Sequence, residues 1–511
     1  MRVIAVSSVG VLDTDTGELS PTIDVEKLLT TEPGGVISGN NLYPYLAALA
    51  PEVRKDEGWT MTVNLQERRI RPLDSKDTRI TGKLYVSKLT YRRAKVGGRR
   101  NRRRPPAIKW VVLELGLFIE KPPTDVHEIA AIGRSFIELA ERRGIKPRSS
   151  PGSYGSAMLR ASSKWNSERH AAPEFVSEVG RRHLPGNYYA LSTEFKRKVP
   201  HAYYMDQESS HHKIAASVPL PHPHSLRARG FFRATEHDVY RRWTNDLSDL
   251  DGQHGLTCCM VQCGTLPHRS EHLYPPWAKE RGTKPRWLWT PELRLLQQGD
   301  HRIQFEYVIC ALTSRFNDDA LLEYAEWALE QRKRPDSKWY KSALLAAYGM
   351  LAIRHDRERP VSLFTVHGRP KPPRATVVEL PLLPNVYRSD VQRMKPPAVQ
   401  NVIARGVIEA ETRTRSLEYA KQLEGEGTPV PQIYADGLLA AMEQVPMFVP
   451  EHWRVAAALS DVFSPHPNSI ISNELVRLPG ILGSARAAYG TPWEAPAIRE
   501  SLEARSGDLP D

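Results

Sequence analysis

Asp206 stands at the end of an apolar stretch, Tyr203-Tyr204-Met205, and before a polar run, Gln207-Glu208-Ser209-Ser210-His211-His212. A carboxylate at the C-terminal end of a buried strand is fixed by the strand and suits a metal ligand. The segment from Lys213 to Val218 is predicted helical, with Pro219 as its stop. A helix start just behind the carboxylate presents backbone N–H groups to an anionic substrate. Capping that helix is the plainer role open to Asp206. A second carboxylate, Asp436, lies in Pro431-Gln432-Ile433-Tyr434-Ala435-Asp436-Gly437-Leu438, predicted as strand, Asp-Gly turn and strand. Lys338, Lys341, Leu345 and Tyr348 follow one another at spacings of 3, 4 and 3, which puts them on one helical face. Two ammonium groups there suit a nucleoside triphosphate, and the tyrosine ring suits a base pair.

Several predicted elements would have to position these groups. A buried strand is predicted over 108 to 119 and a helix from about Val126 to Arg143, with Ile129, Ile132, Phe136 and Leu139 on one face. A helical pair is predicted from about Asp319 to Arg332 and from Lys338 to about Leu351, broken at Pro335. A long helix runs from Asn401 to near Gly425 and leads into the Asp436 hairpin. Leu256-Thr257-Cys258-Cys259-Met260-Val261-Gln262-Cys263 is predicted to be a core strand rather than a metal site. The histidines at 201, 211, 212, 222 and 224 lack ligand spacing. Asp24 and Glu26 have a spacing that can share two metals, without a strong apolar run before them.

The chain has 511 residues and 40% apolar content, enough for two or three domains. Its net charge of +12 favours a polyanionic partner. The run 91 to 106 holds eight basic residues, Arg92, Arg93, Lys95, Arg99, Arg100, Arg102, Arg103 and Arg104, broken by a Gly pair and closed by prolines. Such a loop would make salt-dependent phosphate contacts without reading bases. Four cysteines are too few for a disulfide framework, and a cytoplasmic location is expected. No stretch approaches the roughly 18 apolar residues of a membrane span, so no membrane partner is expected.

In order, these elements resemble the motifs of family B DNA polymerases, in the small phage-type branch that includes protein-primed members. Asp206 and Ser209 match the first palm motif, Asp-x-x-Ser-Leu-Tyr-Pro, with Ser210, His211 and His212 in place of its last three residues. Lys341, Tyr348 and Gly349 match the fingers motif Lys-x-x-x-Asn-Ser-x-Tyr-Gly, with Leu345 and Ala346 replacing Asn and Ser. Tyr434 and Asp436 match the third motif, Tyr-x-Asp-Thr-Asp-Ser, but its second aspartate falls on Leu438. The separations are 135 residues from Asp206 to Lys341 and 95 from Lys341 to Asp436. Arg181, Arg182, Gly186 and Tyr188 are loosely similar to the family's template-contacting element. Arg454 falls near the family's Lys-x-Tyr element without matching it.

The resemblance implies an α/β multidomain chain with a right-hand polymerase fold. It assigns 1–165 to a degraded, ribonuclease-H-like exonuclease-type domain, 166–310 and 401–450 to an antiparallel palm, 311–400 to helical fingers and connection, and 451–511 to a small thumb-like region. It implies template-directed, two-metal nucleotidyl transfer in phage or mobile-element replication, with Mg²⁺ or Mn²⁺ on Asp206 and Asp436. Lys341 would act in catalysis, and Ser209, Lys338, Lys341, Tyr348 and Gly349 would bind nucleotide. The implied partners are DNA template and primer, deoxynucleoside triphosphates and a terminal or priming protein. With Leu438 at the second carboxylate position, a polymerase-derived nucleic-acid-binding replication protein with little or no catalysis is the alternative. Glu208 is the residue placed to stand in as a relocated ligand.

Overall fold

A computed structural model of the chain describes residues 1–8, 10–20, 34–42, 46, 58–70, 79–92, 108–165, 173–186, 188–192, 199–230, 242–352, 363–365, 377–380, 383–389, 400–434, 436–444, 449–462, 464, 470–474 and 476–477. The chain divides into two units: Met1–Ile70, Ser75–Trp165 and Glu330–Val399 in the first, and Arg71–Asp74, Asn166–Leu329 and Gln400–Asp511 in the second.

The first unit is built on strands β1 (Arg2–Ser7), β2 (Gly10–Asp13), β3 (Leu19–Ser20), β4 (Gly35–Gly39), β5 (Gly58–Ile70), β6 (Arg79–Arg92) and β7 (Ile108–Glu114). β1, β4 and β7 are parallel neighbours, and β2 and β3 continue the sheet antiparallel. Their buried apolar runs are the pattern of a parallel core. Helix α1 (Val126–Arg142) starts where Asp125 accepts the Glu128 N–H, and it buries Ile129, Ile132, Phe136 and Leu139. Helix α2 (Pro151–Arg160) opens with a Ser150–Ser153 capping box. It packs against the helix Ser337–Met350, where Gly155 lies so close that a Cβ would sit 2.4 Å from the Ala347 nitrogen.

The second unit holds helix α3 (Glu174–Arg182), strands β8 (Tyr189–Leu191) and β9 (Val199–Gln207), and helix α4 (Ser210–Ser217). Strands β10 (Arg227–Gly230), β11 (His254–Cys263) and β12 (Gly282–Trp289), helix α5 (Thr290–Gln297) and strand β13 (Ile303–Ser314) follow. After the helix Asp319–Arg332, the unit resumes with helix α6 (Val402–Gly425) and strands β14 (Gln432–Tyr434), β15 (Gly437–Ala440) and β16 (Trp453–Val462).

Two sheets result, in the orders β10-β13-β11-β12 and β16-β9-β15-β14-β8. β16 comes from the stretch expected to form a thumb-like region, yet it pairs with β9 along nearly its whole length. Alternation explains this: Trp453, Leu459 and Val462 are buried while Arg454 is exposed, so the segment covers a sheet edge.

Helix α6 lies along the unit's core. Asn401 caps it by accepting the Ala404 N–H at 3.0 Å. Gly406 lets it approach Trp289, whose ring would sit 2.0–2.4 Å from a Cβ at that position. The Gln207 amide donates to the Thr412 carbonyl at 2.9 Å and to Ser416 Oγ at 2.8 Å, which pins the end of β9 to this helix. That anchor sits one residue beyond Asp206.

Candidate active site

The Asp206 strand and the Asp436 hairpin meet as antiparallel neighbours. Gly437 lies opposite Asp206, Leu438 opposite Met205, and the Gln207 N–H donates to the Asp436 carbonyl at 2.9 Å. Neighbouring strands run about 4.8 Å apart, so both aspartates occupy one end of the sheet on adjacent strands. Tyr434 pairs with Gly437, which places Asp436 in the turn itself and Gly437 in the strand. Gly437 is needed there: a Cβ would meet the Tyr204 hydroxyl at 2.6 Å and the Met205 carbonyl at 2.7 Å.

Side chains on paired residues share a face, and successive residues alternate. Asp206 therefore shares its face with Gly437 and with Arg454, its opposite number on β16. Arg454 Nη2 donates to Asp206 Oδ2 at 3.1 Å, with the arginine 52% and the aspartate 19% exposed. On the same face, Tyr434 makes edge contacts with Tyr189 at 5.1 Å and Tyr204 at 6.4 Å. Leu438 shares the opposite face with Met205 and Ile433 and is fully buried in their core.

Ser209 adopts a left-handed conformation with φ 51°, and α4 begins directly after it. The helix thus starts three residues earlier than predicted from the sequence. The reason is Ser210, which is buried and donates to Asp436 Oδ2 at 3.3 Å, while Ser209 holds the N-cap position without a side-chain capping bond. His211 accompanies it, with Nδ1 3.2 Å from Ser210 Oγ, and burial beside Arg405 lowers its pKa to about 3. Glu208 accepts from Lys213 Nζ at 3.0 Å.

No family model matches the sequence, and no curated protein matches it either. The match is in three dimensions. The structure of "Phi29 DNA polymerase complexed with primer-template DNA", a post-translocation binary complex, aligns with a TM-score of 0.52 at 11% identity, over 92% of this chain and 87% of that one. The same polymerase with primer-template DNA and incoming nucleotide substrates aligns at 0.52 and 12% identity, over 93% and 89%. The chain has a DNA polymerase-like fold.

Polymerase chemistry on two divalent ions needs several carboxylate oxygens aimed at one place. Asp206 and the Asp436 turn bring two carboxylates to one end of the sheet, and position 438 supplies none. Asp206 faces a guanidinium, Asp436 accepts from Ser210, Glu208 is paired with Lys213, and Leu438 points into the core. Among the described residues no group of three or more His, Cys, Asp or Glu side chains forms a metal site. The expected use of Glu208 as a relocated ligand therefore meets a competing ammonium, although that pair is half exposed and weak.

Lys338 and Lys341 are exposed on the Ser337–Met350 helix, with Lys338 Nζ 4.1 Å from the Trp339 ring centre, and Gly349 is exposed as well. Tyr348 is fully buried, so its ring offers no face to a base pair. Tyr188 is also buried, its hydroxyl donating to the carbonyls of His272 and Tyr274, and it is a core residue rather than a stacking platform. Arg181 and Arg182 end helix α3, where Arg182 pairs with Glu178. Arg92 is the last residue of β6, while Arg93, Lys95, Arg99, Arg100, Arg102, Arg103 and Arg104 lie outside the described residues, as do Asp24 and Glu26. Arg454 is the site residue that sequence reasoning undervalued. Its signal was alternation: an arginine between buried Trp453 and the apolar run after it must face out on the next strand over.

Proposed function

We propose that this chain is a DNA-binding replication protein on a DNA polymerase scaffold, serving phage or mobile-element replication, with nucleotidyl transfer strongly reduced or lost. The observation that carries this reading is the Asp206–Arg454 pair at the sheet end beside Asp436. Two carboxylates at one end of adjacent strands support a polymerase-derived site, and the arginine paired with one of them supports reduced transfer.

In this reading the sheet β16-β9-β15-β14-β8 serves as the palm, and the Ser337–Met350 helix serves as the fingers helix that offers Lys338 and Lys341 to phosphate. The parallel-cored sheet of the first unit is an exonuclease-type scaffold. Its β1, Arg2–Ser7, carries no carboxylate. DNA template and primer are the proposed partners, supported by likeness to a polymerase solved with primer-template DNA. Arg454 neutralises Asp206 and so keeps a backbone phosphate from meeting bare negative charge at this end of the sheet. A missing metal ligand worth several kcal/mol slows transfer by orders of magnitude, at about 1.4 kcal/mol per decade.

Fluorescence anisotropy on primer-template DNA, combined with primer extension in Mg²⁺ and in Mn²⁺, tests this. The expected result is salt-dependent binding with extension absent or barely above background. Robust extension that Asp206→Ala abolishes would establish an ordinary polymerase, and failure to bind DNA at any salt would remove the replication reading altogether.

A further inference from the structure

A second surface of the same unit carries the chemistry of a single-stranded nucleic-acid contact. β10 is the edge strand of its sheet, and all four of its residues, Arg227, Ala228, Arg229 and Gly230, are exposed. It runs antiparallel to the end of β13, with Arg227 opposite Thr313 and Arg229 opposite Ala311. Beyond the strand and the short helical turn Pro223–Ser225, the His222 N–H donates to the Phe316 carbonyl at 2.8 Å, and Pro221 bridges to Asn317. Residues 221–230 and 310–317 thus lie side by side as a ribbon interrupted by that turn. At its tip Phe316 is 71% exposed, and Arg315 beside it is exposed too. Neither strand of the ribbon, from Leu220 to Gly230 or from Cys310 to Asn317, contains an aspartate or glutamate.

Arginines on an edge strand have a simpler use, which is to keep the edge from pairing with another chain. That use does not account for Phe316. An open phenyl ring at the end of the same edge adds a sticky apolar surface that such protection is meant to avoid. Cations in a row with a bare aromatic ring at one end are instead what a single strand requires, with phosphates on the arginines and a base on the ring. The spacing agrees. Arg227 and Arg229 project from the same side of β10, two residues and about 6.8 Å apart. That is a step comparable to the one between successive phosphates of an extended strand. Guanidinium forks bind such phosphates through paired N–H groups.

We infer that the ribbon 221–230/310–317 binds single-stranded DNA, with Arg227, Arg229 and Arg315 on the backbone and Phe316 stacked on a base. This rests on the DNA-binding reading above and adds to it a separate contact, on another sheet of the unit, that engages unpaired template.

The test is anisotropy of a short labelled oligo-dT and of primer-template DNA across a salt series. It compares wild type, the Arg227→Ala/Arg229→Ala double variant and Phe316→Ala. All three side chains are exposed, so unchanged thermal melting confirms that each variant is folded. The double variant is expected to lower the salt slope on oligo-dT by about 1.4, at about 0.7 per phosphate on a single strand. Phe316→Ala is expected to weaken oligo-dT binding roughly 5- to 150-fold with the slope kept, the effect of one lost base stack. If wild type binds both DNAs and the variants match it in affinity and slope, the inference is overturned while the DNA-binding reading stands. Wild type that binds primer-template DNA but not oligo-dT overturns it in the same way. Wild type that binds neither fails the underlying reading, and the inference with it.

Discussion

Leu438→Asp restores the aspartate that the third polymerase motif would carry, and the sheet register says what it will do. Leu438 faces Met205 and Ile433 on the buried side, opposite to Asp206. Removing the leucine forfeits about 1.5–3 kcal/mol of apolar burial. A carboxyl group in such surroundings has its pKa raised by about 3–5 units, to about 7 or above, so at pH 7 the penalty is set by the roughly 3 units between pH 7 and the unfolded value and adds about 4 kcal/mol. The sum, about 5–7 kcal/mol, is comparable to the whole stability of a marginal domain, about 5–15 kcal/mol. The variant should therefore be unfolded or barely folded at pH 7, while Leu438→Ala loses about 2–5 kcal/mol and melts cooperatively at a lower temperature. The sign with pH follows from the raised folded-state value. The charge penalty is absent below the unfolded aspartate pKa of about 3.9 and grows as pH rises toward the folded-state value. Thermal melting by circular dichroism at pH 4 and pH 7 measures both effects. Wild-type melting of Leu438→Asp at pH 7, with a gain of Mn²⁺-dependent primer extension, would refute the reasoning by showing that position 438 reaches the site.

Gly406→Ala should destabilise despite alanine's helix preference of about 1 kcal/mol, because its Cβ would overlap the buried Trp289 ring. A melting temperature at or above wild type would contradict the close approach of α6. Arg454→Ala should change stability by less than about 1 kcal/mol, since the pair it breaks is half exposed, and denaturant midpoints will show it. His211, with its pKa depressed to about 3 by burial and by Arg405, contributes stability above its unfolded value of about 6.5 and loses it as pH falls from there toward 3. His211→Gln should flatten the urea midpoint across that pH range, and an unchanged profile would contradict the assignment.

Much of the scaffold was legible because it obeys local rules. The Val126–Arg142 helix follows its apolar spacing and its Asp125 cap, and the Asp319–Arg332 helix ends before Pro335. The Asp206 strand and the Asp436 hairpin were legible from a short apolar run ended by a carboxylate and from an Asp-Gly turn. What sequence could not supply was which face of a strand or helix looks where. Tyr348 and Tyr188 have types and spacings that suit nucleotide or template, but long-range packing buries both. Leu438 reads as a lost ligand in a motif and is a core residue in the sheet. Ser209 and Ser210 read as loop, and only the contact of Ser210 with Asp436, 226 residues away, turns them into a helix start. Arg454 meets Asp206 through a strand pairing 248 residues distant, which no local pattern encodes.

The central claim is that primer-template DNA lies across the sheet end that carries Asp206 and Asp436, whether or not chemistry follows. Photocrosslinking reads this directly and needs no turnover. A primer with 5-iododeoxyuridine at its 3′ end is annealed to template, irradiated with the protein, and the linked peptide identified by mass spectrometry. The account predicts attachment within residues 203–213 or 432–454, with Tyr434 the nearest aromatic acceptor to Asp436 in sequence. Attachment solely elsewhere in the chain, with binding intact, would contradict it.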